Sequence, residues 1–213
     1  LLEDLAFATQ DLRSTAIILN GNDLQIDDVL DGNSDDDWTL TIDATGVTLH
    51  SNNPNEFLTS GIAGAIGDGT DTLTIPLAAF SGEITFNGGA GADTLTLNVT
   101  AGFSRTITFN GGAPTSGSGD TLILQSGDTF DSATYSFTDS SSGSIQFSGN
   151  GSINYTGLEP ILSSVAADHV SLQFGGDSEI IELTAGASGQ TVVDSTSGES
   201  LTFFNPNKPL TVL

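Results

Sequence analysis

A seven-residue phrase occurs twice in the middle of the chain. Ile84-Thr-Phe-Asn-Gly-Gly-Ala90 returns as Ile107-Thr-Phe-Asn-Gly-Gly-Ala113, 23 positions later. A second phrase, Gly69-Thr-Asp-Thr-Leu-Thr-Ile75, returns 22 positions on as Gly91-Ala-Asp-Thr-Leu-Thr-Leu97. It comes again, one residue shorter, as Gly119-Asp-Thr-Leu-Ile-Leu124, after an insertion around Pro114–Ser118. A period of 20–30 residues, with a strand and a Gly-rich turn in fixed order, is the mark of stacked coils. One such unit cannot cover its own apolar face, so each needs a neighbour above and below it.

The strands within these phrases alternate. Thr39-Leu-Thr-Ile42, Thr72-Leu-Thr-Ile75, Glu83-Ile-Thr-Phe86, Thr94-Leu-Thr-Leu97 and Thr106-Ile-Thr-Phe109 each place Leu, Ile or Phe on one face and mostly hydroxyls on the other. The expected fold is all-β: a parallel β-helix or β-solenoid with Gly/Asp-rich turns over residues 1–131. Residues 132–157, where YSF, SIQF and SINY are split by Asp-Ser-Ser-Ser-Gly and Gly-Asn-Gly, read as antiparallel hairpins or a meander, either an insertion on the coils or a connection. The connection runs to residue 160, and 161–213 holds further short strands ending on an open one. Only residues 1–12 have helical character, with Leu2, Leu5 and Phe7 on one face. Trp38, the lone Trp, is expected to plug the core at a strand start.

The charge balance excludes whole classes of partner. Twenty-seven acids face three cations, Arg13, Arg105 and Lys208, for a formal charge of −24. Such a chain cannot neutralise a phosphate backbone, so nucleic acid is not an expected partner. No run of about 18 apolar residues is present, so no membrane span is expected. With no Cys, disulfide and thiolate–metal chemistry are unavailable. The first residue is not Met and no signal segment opens the chain, so it reads as a mature or excised piece, or the ordered part of something longer.

Gly88-Gly-Ala-Gly-Ala-Asp-Thr-Leu-Thr96 fits G-G-x-G-x-D-x-U-x at every fixed position, and Ile66-Gly-Asp-Gly-Thr-Asp-Thr-Leu-Thr74 at all but the first. The stretch ending at Asp120 is a degenerate third copy, and Gly175–Glu182 a weaker echo. The turn glycines permit positive φ and close backbone approach. If successive turns stack in register, their aspartates lie about 5 Å apart and repel. Almost no Lys or Arg is available to relieve this, so a hard cation with oxygen ligands is the natural remedy, and Ca²⁺ tolerates irregular oxygen cages best. Asp71, Asp93 and Asp120 are the candidate side-chain ligands, with Asp68 assisting. Carbonyls near Gly67, Gly69, Gly89 and Gly91 would complete the shell. The alternative is that Gly-x-Gly-x-Asp is a tight turn closed by an Asx hydrogen bond.

In this motif the chain resembles the RTX, or hemolysin-type calcium-binding, family. RTX arrays carry two nonapeptides per coil, whereas the copies here are 22–27 residues apart, one Gly-Asp turn per coil. That spacing, with Asn154–Ile161 and Phe204–Val212, resembles repeat units of giant secreted bacterial surface proteins. The resemblance implies an extracellular or cell-surface location.

Other candidates carry less. Asp27, Asp28, Asp31, Asn33, Asp35, Asp36 and Asp37 form a second acidic cluster, but Asp36 and Ile42 stand where an EF-hand needs Gly and Glu, so a solvated acidic loop is expected. His50 and His169 have no nucleophile context, and only Arg105 could serve as a lyase clamp, so no enzyme is expected. Thr39-x-Thr41, Thr72-x-Thr74 and Thr94-x-Thr96 form short rows of the kind found on ice-binding surfaces, though Thr is also a good outward strand residue. Asn98, Asn150 and Asn154 begin formal glycosylation sequons. The expected role is a structural or adhesin-like, fibre-forming unit stabilised by Ca²⁺, joined to itself or to a longer array through terminal strands. The alternative is a module that binds a glycan or ice.

Overall fold

The computed structural model describes residues 14–28, 35–43, 45–54, 56–112, 119–175, 179–196 and 198–213; the segment 1–12 lies outside them. The strands are, in chain order, β1 (Ser14–Asn20), β2 (Asp23–Asp28), β3 (Asp37–Ile42), β4 (Gly46–Ser51), β5 (Phe57–Ser60), β6 (Thr72–Pro76), β7 (Ile84–Asn87), β8 (Thr94–Asn98), β9 (Ile107–Asn110) and β10 (Asp120–Gln125). They continue as β11 (Thr129–Asp139), β12 (Ser142–Phe147), β13 (Ser152–Thr156), β14 (Leu158–Ser163), β15 (Ala166–Gln173), β16 (Ile181–Ala185), β17 (Gln190–Ser195), β18 (Leu201–Phe204) and β19 (Thr211–Val212). One turn of 3₁₀ helix, Leu77–Ala79, is the only helical piece among the described residues.

The expected all-β class holds, but as two large mixed sheets rather than a parallel solenoid throughout. The first sheet runs β19-β15-β11-β12-β13-β9-β7-β2-β1-β5 and the second β16-β17-β18-β14-β10-β8-β3-β4-β6. Parallel pairing is concentrated in the middle. In the first sheet β2, β7, β9 and β13 are parallel neighbours. In the second, β3, β8, β10, β14 and β18 are. The chain crosses between sheets once per rung, from β2 to β3, β7 to β8, β9 to β10 and β13 to β14.

Alternation sets the register. Leu24, Ile84, Ile107 and Ile153 stack in one inward column, and Ile26, Phe86, Phe109 and Tyr155 in the next. From the second sheet Trp38, Leu95 and Leu122 face them. All are buried and belong to one continuous core, with Trp38 completely enclosed. Burying each such side chain contributes about 1.5–3 kcal/mol, so a one-residue slip, which would turn a whole column outward, is strongly opposed.

Antiparallel pieces close the ends. β1 folds back on β2, and β4 and β6 continue the second sheet beyond β3. At the other end β16, β17 and β18 form a meander. The expected hairpins appear as β11-β12-β13, whose last strand rejoins the parallel stack beside β9. Strands from residues 14–131, 132–160 and 161–213 share both sheets. β19, at the edge of the first sheet, pairs in parallel with β15.

Candidate functional site

The corner between sheets is built by the repeated Asn-Gly-Gly. Gly89 and Gly112 have φ of 90° and 110°, the left-handed region, and Gly157 on the next rung has 74°. The three glycines stack: a Cβ on Gly112 would lie 1.8 Å from Gly89 O, and one on Gly157 2.8 Å from Gly112 O. The preceding glycines do something different. A Cβ on Gly88 would lie 2.3 Å from Asp93 Oδ2, and one on Gly111 2.3 Å from Asp120 Oδ2. The first glycine of each pair makes room for a carboxylate, and the second turns the chain.

Those carboxylates form a column. Register places Asp36, Asp93 and Asp120 opposite one another at the start of β3, β8 and β10. Exposure is 2% for Asp36 and 0% for Asp93 and Asp120. The Asp36 amide donates to Asp93 Oδ1 at 2.8 Å, and the Asp93 amide to Asp120 Oδ1 at 2.8 Å. Oδ2 of Asp93 and of Asp120 is buried with no hydrogen-bond partner among the described residues. Burial pushes Asp93 up to about 7, opposed by the Asp36 amide and reinforced by Asp120, Asp28 and Asp35. Burial also raises Asp120, with Asp35 adding to it. The two described cations are engaged elsewhere: Arg105 sits 4.3 Å over the Phe80 ring and donates to Leu77 O, and Lys208 pairs with Asp168 at 3.3 Å.

A fourth buried acid stands further along the stack. Glu199, 2% exposed, lies opposite Glu159 by the pairing of Ile161 with Leu201. Its carboxyl is raised to about 8, first by burial and then by Glu159 and Asp194. Oε1 accepts from the Ser200 amide at 3.0 Å, and Oε2 has no hydrogen-bond partner among the described residues. Glu56, in contrast, is buried but accepts from the hydroxyls of Thr15 and Ser51, and Thr15 accepts from Trp38 Nε1 at 3.0 Å.

Of the candidate ligands, the structure brings Asp93 and Asp120 together beside Gly89 and the buried Gly91. It does not bring Asp68, Asp71, Gly67 and Gly69 to them. These four lie at the far end of the second sheet, before β6. Asp68 accepts from the Ser60 amide and Asp71 from the Thr72 hydroxyl at 2.9 Å, and both are exposed. Gly67 turns over Thr72 O instead of stacking on the central corner.

The rung expected for Asp71 is occupied by Asp36, which belongs to the second acidic cluster. That cluster is therefore not simply a solvated loop. Asp35 Oδ1 accepts from the Ala92 amide at 2.8 Å, and Asp27 Oδ1 from Asn87 Nδ2 at 2.6 Å. Asp31 and Asn33 lie outside the described residues. Asp36 and Glu199 carried a readable signal. Each stands two residues before an inward residue, Trp38 or Leu201, just as Asp93 precedes Leu95, and strand alternation points residues i and i+2 to the same side.

His50 and His169 form no joint site: His50 Nδ1 bonds the Thr72 hydroxyl at 2.8 Å, and His169 Nδ1 lies 3.1 Å from Asp131 O. Among the described residues, no three His, Asp or Glu side chains are gathered as a metal cage, and no helix is long and apolar enough to cross a membrane. Compared with known proteins, the chain matches no family model, no curated protein and no solved structure.

Proposed function

We propose that the chain is a structural and interaction unit of a secreted, cell-surface bacterial protein, adhesin-like or filament-forming, whose rungs act as a β-solenoid stabilised by Ca²⁺. The observation that carries this reading is the pair of buried oxygens, Asp93 Oδ2 and Asp120 Oδ2, on adjacent rungs and without a hydrogen-bond partner among the described residues, whose two cations are engaged elsewhere. Rungs are about 4.8 Å apart and Ca²⁺ takes oxygen at about 2.3–2.6 Å, so one ion has the size to serve both carboxylates. Gly88 and Gly111 are what allow the two carboxylates to sit at this corner, since a Cβ on either would collide with them. Two carboxylates do not fill a calcium shell, so backbone carbonyls would supply the remainder, Gly111 O being the nearest to the Gly88 side.

The ion's chemistry is charge neutralisation, and its effect on folding follows by linkage. Where free Ca²⁺ is scarce the column carries uncompensated charge and the fold is loosened. Outside the cell, Ca²⁺ binds only the folded form and stabilises it by mass action. Among the described residues, β19 at one end of the first sheet and β16 at one end of the second are edge strands that offer backbone groups for pairing with a further unit.

The test is a melting curve with Ca²⁺ or with EGTA. At a hundredfold excess over Kd the ion contributes about 2.7 kcal/mol, a rise of roughly 5–10 °C for a chain of this size. Identical curves would remove calcium from the proposal. Monodisperse particles at high concentration in electron micrographs would remove filament formation.

A further inference from the structure

The two ends of the stack are finished differently. At one end a single loop, residues 61–70, closes both sheets. On the first sheet the Leu58 amide donates to Thr70 O and the Gly69 amide to Leu58 O, each at 2.8 Å. On the second the Ile66 amide donates to Thr74 O at 2.9 Å and the Thr74 amide to Ile66 O at 2.8 Å. The loop also sets Ile62 and Ala65 against the core. The outer edges of β5 and β6 are thus bonded, and the apolar interior is plugged.

At the other end no such loop is found among the described residues. β16 is the last strand of the second sheet. Leu183 pairs there with Val193, which is completely buried, so Leu183 points to the core side, yet it is 44% exposed. The end of the first sheet does the same in miniature: Val212 pairs with buried Leu172 and is 42% exposed. The backbone of β16 is open too. The Thr196 amide donates to Ile180 O at one end of the β16–β17 hairpin, and the Gly186 amide to Gln190 O at the other. Bonded and non-bonded pairs alternate between them, so Ile181, Leu183 and Ala185 turn N–H and C=O to the open side. The strand has none of the Lys, Pro or bulges that blunt an edge, and Glu182 is its single charge.

We infer that β16 pairs antiparallel with β16 of a second copy of this chain, across a two-fold axis at Leu183. The deduction rests on reading the chain as an interaction unit, and it names the partner and the register. An antiparallel edge is complementary to itself, and a two-fold contact uses the same patch on both partners. With the axis at Leu183, each Leu183 meets the partner's Leu183 and each Ile181 the partner's Ala185, so the uncovered core sides cover one another. Charge fixes the register. Here Glu182 stands opposite the partner's Thr184, whereas an axis one residue earlier would set Glu182 against the partner's Glu182, and like charges directly opposite repel. The closed end has no comparable edge to offer, so this contact joins two units and stops.

Sedimentation velocity of the full chain at fixed Ca²⁺, from about 1 to about 300 µM, tests this. The paired strands are short, so a reversible monomer–dimer equilibrium with a Kd of about 10–100 µM is expected. It tightens as salt is raised, because two strongly acidic units must approach. Leu183→Lys puts a charge on the core side of the edge, and Leu183→Pro removes an N–H that points to the open side; each weakens the dimer about tenfold or more. Thr184→Lys, opposite the partner's Glu182, tightens it about threefold or more. Ile66→Lys makes the same change of net charge at an exposed position of the closed end and leaves the dimer unchanged. Hydrogen exchange at the Ile181, Leu183 and Ala185 amides slows as concentration rises. Far-UV CD checks that each variant is folded. A chain that stays monomeric overturns the inference, as does a dimer that survives both Leu183 variants or is broken by Ile66→Lys. Protection of the three amides in a monomer, independent of concentration, also overturns it, since the chain's own residues would then cover the edge. Melting with and without EGTA is read on the same samples, so a monomer that still responds to Ca²⁺ removes the pairing alone and leaves the structural reading standing.

Discussion

Residues 67–74 and 89–96 share a phrase and have different fates. Gly-Asp-Gly-Thr-Asp-Thr-Leu-Thr and Gly-Ala-Gly-Ala-Asp-Thr-Leu-Thr both lead into a strand whose Leu is buried. In the second, β8 lies between β3 and β10 as a parallel rung, and Asp93 is sealed between Asp36 and Asp120. In the first, β6 is the edge of its sheet and pairs antiparallel with β4, leaving Asp71 exposed. The motif encodes a turn and an inward Leu. Whether its Asp becomes a buried charge depends on having a rung on both sides.

The largest expected contrast between the corners is at glycine. Gly112→Ala would force a Cβ to 1.8 Å from Gly89 O at a φ of 110°, so urea unfolding should show a loss of about 3 kcal/mol or more. Gly69→Ala has the unfavourable φ of 81° but nothing within 4 Å, and should cost about 1 kcal/mol. Equal losses would mean that rung stacking adds nothing to the central corner.

Next comes the charge of the column. In EGTA at pH 8, Asp93→Asn should raise the melting temperature by roughly 4–8 °C, equivalent to about 2 kcal/mol, because it removes a buried charge and keeps an acceptor for the Asp36 amide. It should also abolish the response to Ca²⁺. Asp71→Asn, on an exposed turn, should leave both unchanged. A calcium response that survives Asp93→Asn and vanishes with Asp71→Asn would reverse the two assignments.

The pH dependence without cation probes the same carboxyls from another side. Asp93 shifts from 3.8 to about 7 and Glu199 from 4.5 to about 8 on folding. The folded state therefore binds protons that the unfolded state has released. Their stabilisation is fully present below about pH 4 and is lost as pH rises through 7 to 8. In EGTA, melting temperature should rise from pH 8 to pH 5, and Asp93→Asn should flatten part of that slope. A flat profile over this range would place both carboxyls in water.

Much of this was readable beforehand, and for identifiable reasons. Leu/Ile–Thr alternation and the 22–23-residue repeat forced strands, an inward column and stacked glycine corners, because period-two burial and the left-handed φ of glycine are local properties. The pairing of Asp93 with Asp120 followed from the same repeat. Asp71 shares their phrase but not their column, whereas Asp36 shares the column from within an acidic run that reads as a solvated loop. Glu199 lies outside the repeat phrases, so only its position two residues before Leu201 marks it.

The amino-acid order alone determined which residues turn, which face inward and which glycines can tolerate a neighbour's carbonyl, since each depends on a few adjacent residues. Only the tertiary structure decided which strands became rungs and which became edges, and hence which acids were removed from water. That choice is made by long-range pairing: β3 reaches β8 across more than fifty residues, and hydrogen-bond partners so distant leave no mark on the local sequence.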